Sequence, residues 1–183
     1  MSDMFPLDAG ICQLRPLHSM DAVPMTQLAH NRAIWDHVRD YFPHPYQLEH
    51  ATQFIEMVNA QQPPQNLAIE YQRQFAGVVG FFPLQDVYHQ TADFGYWLGE
   101  PFWGKGIATA AVAAMVPYIF EHFGIVRLQS GVFHFNPASM RVLEKNGFQL
   151  DCIARCAVTK NGRIGHEHRY SLLKPGLSAA IIG

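Results

Sequence analysis

Apolar residues recur at helical spacing over residues 20–38, where Ala22, Met25, Leu28, Ala29 and Ile34 share one face, and Pro24 sits in the first turn, where proline is tolerated. A second amphipathic helix is predicted over residues 48–59, with Ala51, Phe54, Ile55 and Val58 on one side and Gln61-Gln62-Pro63-Pro64 as its stop. Between them, Tyr41-Phe42-Pro43-His44-Pro45-Tyr46 cannot continue a helix, because each proline forces extended backbone before it. Runs of β-type residues at 12–17, 67–71, 75–82 and 91–98 predict strands, the middle two joined around Gln72-Arg73-Gln74.

The second half alternates more clearly. Residues 107–122 are strongly apolar and alanine-rich, with Pro117 expected to kink the helix and Gly124 expected to cap it in the left-handed region. Residues 126–133 read as a strand, so strand, helix and strand make a right-handed βαβ crossover. Asn136 followed by Pro137 is an N-cap with proline at the first helical position, and that helix stops at Asn146-Gly147. Residues 148–158 and 163–173, joined by Asn161-Gly162, carry a two-residue hairpin signal. The class is α+β, in one domain over residues 1–183.

Composition narrows the field. A net charge of −2, from 13 Lys and Arg against 15 Asp and Glu, gives no footprint for nucleic acid or an anionic membrane. Three cysteines are an odd count that argues against a disulfide scaffold and for a reducing cytosol. The first six residues lack a basic region followed by an apolar run, and no segment has the length of a membrane span, so the expectation is a cytoplasmic protein.

Candidate chemistry centres on Gly104-Lys105-Gly106-Ile107-Ala108-Thr109, where a strand runs through a glycine turn into a helix. The string lacks the spacing of a nucleotide P-loop, and threonine stands where a dinucleotide fingerprint needs its third glycine. A pyrophosphate held by backbone amides, with Lys105 adding charge, competes with a ligand-free tight turn. Together with Gly95-Tyr96-Trp97-Leu98, Asn136-Pro137-Ala138-Ser139 and Lys145-Asn146-Gly147-Phe148, this stretch resembles the GNAT acetyltransferases, and within them the RimJ/RimL branch of ribosomal-protein N-terminal acetyltransferases. Leu14-Arg15-Pro16-Leu17 and Asp21-Ala22 extend the likeness toward the start of the chain.

The resemblance implies the GNAT fold, a mixed, mostly antiparallel sheet of six or seven strands around the crossover, and N-acetyl transfer from acetyl-CoA to a primary amine without a metal. Tyr96, Trp97 and Leu98 are the expected partners of the pantetheine arm. Trp103, Gly104, Lys105, Gly106, Ile107, Ala108 and Thr109 are expected around the pyrophosphate, and Asn136 along the cofactor channel. Trp103 stands where the superfamily has Gln or Arg, and Glu144 stands where many members carry a tyrosine acid. In the RimL-like pattern the serine of Asn-x-x-Ser meets the CoA sulfur, so the resemblance makes Ser139 the candidate general acid or thiolate stabiliser. Asp93, where related chains often place a glutamate, is the candidate base through water. Trp35, Tyr41, Phe42 and Tyr46 are expected to shape the acceptor site.

The acceptor stays open between a protein N-terminus and a small amine. An α-amine costs roughly 0.5–1 kcal/mol to deprotonate near neutral pH, a lysine about 4–5. The resemblance allows a homodimer. A catalytically idle acyl-CoA sensor and a transferase of longer acyl groups are the alternatives. His44 and His134 are the histidines expected nearest the cleft. Cys152, Cys156, His166 and His168 look like a zinc set, but the hairpin register expected from Asn161-Gly162 pairs Cys156 with Glu167, Arg155 with His168 and Ala157 with His166. That register separates cysteines from histidines by face.

Overall fold

The computed structural model describes residues 4–177; residues 1–3, part of the N-terminal stretch read above, and 178–183, part of the expected domain span, lie outside the described residues. In chain order the strands and helices are β1 (Leu7–Asp8), β2 (Gln13–Arg15), α1 (Ala22–Ala29), α2 (Arg32–Trp35), α3 (Leu48–Asn59), β3 (Asn66–Tyr71), β4 (Gln74–Pro83) and β5 (Thr91–Leu98). They are followed by α4 (Ile107–His122), β6 (Arg127–Phe133), α5 (Pro137–Lys145), β7 (Gln149–Lys160) and β8 (Arg163–Leu173). The strands order as β1-β2-β3-β4-β5-β6-β8-β7, an eight-stranded sheet where six or seven were expected; the short β1 pairs its two residues with β2. The chain divides into two compact units, Met1–Gly80 with Tyr96–Met115 and Phe81–Gly95 with Val116–Gly183.

In the first unit β1 to β4 form an antiparallel meander, with Leu14 opposite Ile69 and Leu67 opposite Val79. Gln72 and Arg73 close the β3–β4 hairpin at φ 50° and 62°, the doubly left-handed geometry that matches strand twist. Met25, Ala29, Ala51, Ile55 and Val58 from α1 and α3 pack with Leu17, Tyr46, Ala68, Phe75 and Val78 into one core. The helix expected over residues 20–38 is broken. Asn31 takes an extended conformation and its side-chain oxygen accepts the Ala33 N–H at 2.8 Å, starting α2 afresh instead of continuing α1.

Arg15 organises the polar edge of this core. Its guanidinium donates to both carboxylate oxygens of Asp21 at 2.8 Å, and its Nε donates to Glu70 at 2.6 Å. Asp21 is buried and also accepts the His18 N–H at 2.8 Å. Burial pushes the Asp21 carboxyl up, but the Arg15 and His18 hydrogen bonds and the Arg15 charge outweigh it and hold the carboxyl below the usual range.

In the second unit β5 and β6 run parallel as the crossover predicts, through Thr91–Arg127, Ala92–Leu128 and Asp93–Gln129. β6 pairs antiparallel with β8 from Arg127–Leu173 to Phe133–Glu167. Phe81 meets Phe123 edge-on at 4.7 Å, and Phe94 lies 5.7 Å from Phe148. α4 runs through Pro117. Gly124 is not left-handed as expected; the Ile125 N–H donates to the Phe123 carbonyl at 2.6 Å, a three-residue turn that leaves the helix without positive φ.

Asn161 and Gly162 form the expected turn, at φ 53° and 73°, with Lys160 opposite Arg163. Beyond it the register departs from expectation. Between Val158–Gly165 and Ala154–Glu167, β7 spends three residues against one on β8, so Ala154 rather than Cys156 faces Glu167 and Ile153 rather than Arg155 faces His168. Cys156 sits at φ 54° and its N–H donates to His166 Nδ1 at 3.0 Å, a side-chain anchor for the bulge that a turn-based register cannot anticipate. Cys152 pairs with Arg169 and so keeps to the face away from His168, as expected, whereas at Cys156 the bulge breaks the alternation on which the facial separation rests. Among the described residues no group of three or more His, Cys, Asp or Glu is placed to hold a metal ion.

Replacing Arg15 by Met leaves Asp21 buried without its cation, and unfolding in urea at pH 7 should show a loss of about 2–3 kcal/mol. Asp21 has a depressed folded pKa, so its stabilisation is present above the unfolded value near 4 and disappears as pH falls through that value toward the folded one. The difference between variant and parent should accordingly shrink below about pH 4; an undiminished difference at pH 3 would contradict this assignment.

Candidate active site

β5 ends at Leu98, a 3-10 turn covers Glu100–Phe102, and Gly104 and Gly106 follow at φ 73° and 79° before α4 begins. Such φ values are unstrained only for glycine. A side chain at Gly104 would meet nothing within 4 Å, so this face of the turn is open. The first bond of the α4 ladder is Ala110 N–H to the Gly106 carbonyl at 3.0 Å, which puts the positive end of a 16-residue helix at the turn. The Trp103 indole donates to the Leu98 carbonyl at 2.6 Å and ties the turn to the end of β5. Lys105 Nζ lies 5.8 Å from the rings of both Tyr71 and Phe102. This donor set, with an open glycine backbone, a helix N-terminus and an adjacent cation, fits a pyrophosphate.

Cys12 lies beneath the turn, its Sγ 3.9 Å from the Ile107 carbonyl. Burial first, and then the Asp8 charge, push this thiol up to about 11, so it stays protonated and is no nucleophile at neutral pH.

The aromatic segment divides by role. Phe42 packs edge-on to Trp97 of β5 at 5.8 Å, and the Trp35 indole donates to the Phe42 carbonyl at 3.0 Å. Tyr41 is 77% exposed. Tyr46, expected at the acceptor site, is buried in the core with its hydroxyl 3.6 Å from Met25 Sδ; burial pushes its pKa up to about 12, and it supports the loop from inside. His44 stacks against Trp35 at 5.3 Å and His30 at 5.9 Å. Asn31 Nδ2 donates to Glu100 at 2.6 Å, which links the start of α2 to the turn before the glycines.

The second unit carries the remaining candidates. Asp93 accepts from Gln129 Nε2 at 2.8 Å across the last pair of the parallel ladder. Asn136 caps α5, its Oδ1 accepting the Ser139 N–H at 3.2 Å, so these two candidates are held together. His134 packs against Phe135 at 5.0 Å and accepts the His166 N–H at 3.2 Å. Glu144, which replaces the expected tyrosine, accepts from the Tyr170 hydroxyl at 2.9 Å. Burial, then that carboxylate, push the Tyr170 pKa up to about 12. Tyr170 escaped sequence reading because it comes from β8, whose alternation shows only which residues share a face.

The acetyltransferase (GNAT) domain model matches residues 12–149. The probable N-acetyltransferase YjcK of Bacillus subtilis is 41% identical over 54% of this chain and 55% of its own. The putative ribosomal N-acetyltransferase YdaF of the same organism is 34% identical over 57% and 56%. The chain spans about half the length of the curated relatives it matches. Among solved structures, RimL, the ribosomal L7/L12 alpha-N-protein acetyltransferase in complex with coenzyme A, aligns at TM-score 0.80 and 23% identity over 92% of this chain and 96% of that one, which establishes likeness of fold.

The capping geometry makes a direct prediction. Asn136→Ala should lower the unfolding free energy by about 1 kcal/mol, measured in denaturant, with Asn136→Asp restoring most of it; an alanine variant as stable as the parent would show that the cap contributes nothing.

Proposed function

This chain belongs to the GNAT acetyltransferase family, and from that premise we propose that it moves the acetyl group of acetyl-CoA onto a primary amine by direct attack. The observation that carries the reading is the open glycine turn at Gly104–Gly106, placed between β5 and the N-terminus of α4. Acetyl-CoA, when bound, supplies a thioester carbonyl open to a neutral amine. Trp103, Gly104, Lys105, Gly106, Ile107, Ala108 and Thr109 hold its pyrophosphate, Tyr96, Trp97 and Leu98 its pantetheine arm, and Asn136 lines its channel. Leu98 meets that arm with its carbonyl already accepting from Trp103.

Asp93, oriented by Gln129, receives the proton of the attacking amine through water. Ser139 donates a hydrogen bond to the departing thiolate and relays to it a proton that water returns to the serine hydroxyl. Trp35, Tyr41 and Phe42 shape the acceptor side, with Tyr46 as their support. The free cysteines, and the lack among the described residues of any helix long and apolar enough to cross a membrane, are consistent with cytoplasmic work. A ribosomal-protein N-terminus and a small amine both remain acceptors for this chemistry.

One observation favours a second reading. The Glu144 carboxylate is occupied by Tyr170 and offers no acidic hydroxyl, as in an acyl-CoA sensor without turnover.

Thiol release from acetyl-CoA over a panel of amines separates the two readings; tight CoA binding with no release on any amine supports the sensor. Gly106→Val, which forces a β-branched residue to φ 79°, should weaken CoA binding about tenfold or more by calorimetry. Ser139→Ala and Asp93→Asn should each lower kcat by about tenfold or more, and a kcat within about twofold of the parent would remove that residue from the mechanism.

A further inference from the structure

One face of the second unit's sheet is polar and ends in a buried carboxylate that the reaction above does not use. Asp93 and Gln129 are paired neighbours, Gly131 follows Gln129 by two residues, and Gly131 pairs with Arg169, two residues from Glu167. Side chains repeat every second residue and paired residues share a face, so Asp93, Gln129, Arg169 and Glu167 point to the same side. The opposite side carries α5, through Tyr170 with Glu144 and His168 with Met140.

Glu167 is only 9% exposed. Its carboxylate lies over Gly131, and a side chain there would collide with Oε1. Arg169 Nε donates to Oε2 at 3.0 Å, while Oε1 receives no hydrogen bond from the described residues. Arg169 is itself 58% exposed, so water screens its charge and it only partly compensates the buried carboxylate. The Oε1 lone pairs are left for a further cationic donor. Two residues along β6 and one strand across separate this position from Asp93 by roughly 8 Å.

We propose that Glu167 is a specificity-determining residue that binds the second ammonium of a diamine acceptor whose reacting amine lies toward Asp93. The inference rests on the acetyl-transfer reading and names its substrate class, a short aliphatic diamine or a polyamine built from one. Gly131 is the structural requirement, since only a residue without a side chain lets the carboxylate lie flat on the sheet. The fixed second charge also eases loss of the proton from the reacting amine by like-charge repulsion.

The test compares putrescine with n-butylamine, equal in reach but differing by one charge, as acceptors and as ligands of the CoA-loaded protein by calorimetry. The parent should prefer putrescine by about tenfold or more in both kcat/KM and affinity. Glu167→Gln should bring the two amines within about threefold, through KM and not kcat, with CoA affinity and melting temperature near the parent's. Gly131→Ala, which keeps the charge but displaces the carboxylate, should do the same. Equal binding of the two amines by the parent, or a preference that survives both variants, overturns the proposal. Because diamine binding is read without turnover, an idle enzyme that still discriminates through Glu167 would sink the transfer reading and leave the dication site standing. Turnover of butylamine with no charge preference would do the reverse.

Discussion

Three residue pairs of parallel ladder, Thr91–Asp93 beside Arg127–Gln129, are the constraint on which the second unit depends. Parallel neighbours cannot be joined by a tight turn, so the chain must leave β5, travel through α4 and return as β6. The same short ladder puts Asp93 at its last pair, where Gln129 orients the carboxylate. From there β6 carries its pairing to β8, and the alternation of side chains sets Asp93 and Glu167 on one face while Tyr170 and His168 turn to α5.

A comparable economy governs the first unit. The glycine turn has to be left-handed twice within three residues and still deliver the chain into a long helix. The Trp103 indole on the Leu98 carbonyl, the Asn31 amide on Glu100 and the Lys105 ammonium beside Tyr71 and Phe102 all hold the segments around the turn. The side chains do the bracing, which leaves the glycine backbone open at Gly104. The Arg15 cluster serves the opposite purpose: it closes the polar edge of the core by satisfying a carboxylate whose charge burial by itself disfavours.

Much of this was legible in the residues. Strong periodicity and caps located α3, α4 and α5 within a residue or two, because Pro63-Pro64, the glycine turn and Asn136-Pro137 are local signals whose physics acts on the backbone that carries them. The break between α1 and α2 was missed, although Asn31 is the kind of residue that competes with a helix for backbone hydrogen bonds. The register of β7 was missed for a different reason. Counting from Asn161-Gly162 assumes an unbroken ladder, and the bulge at Cys156 is held by an imidazole ten residues away.

The sequence by itself determined the order of elements, the crossover, the glycine turn ahead of α4 and the family resemblance. Each depends on propensities and spacings that lie within a few residues of one another. Only the tertiary structure decided that Tyr46 is a core residue, that Tyr170 fills the place beside Glu144, and that Glu167 lies buried over Gly131 with one oxygen given no hydrogen bond by the described residues. The first depends on how a loop packs into the core, the other two on which strand lies next to which and in what register. That information arises when distant segments meet, and a one-residue slip in the strand pairing would turn Tyr170 and Glu167 to the other face.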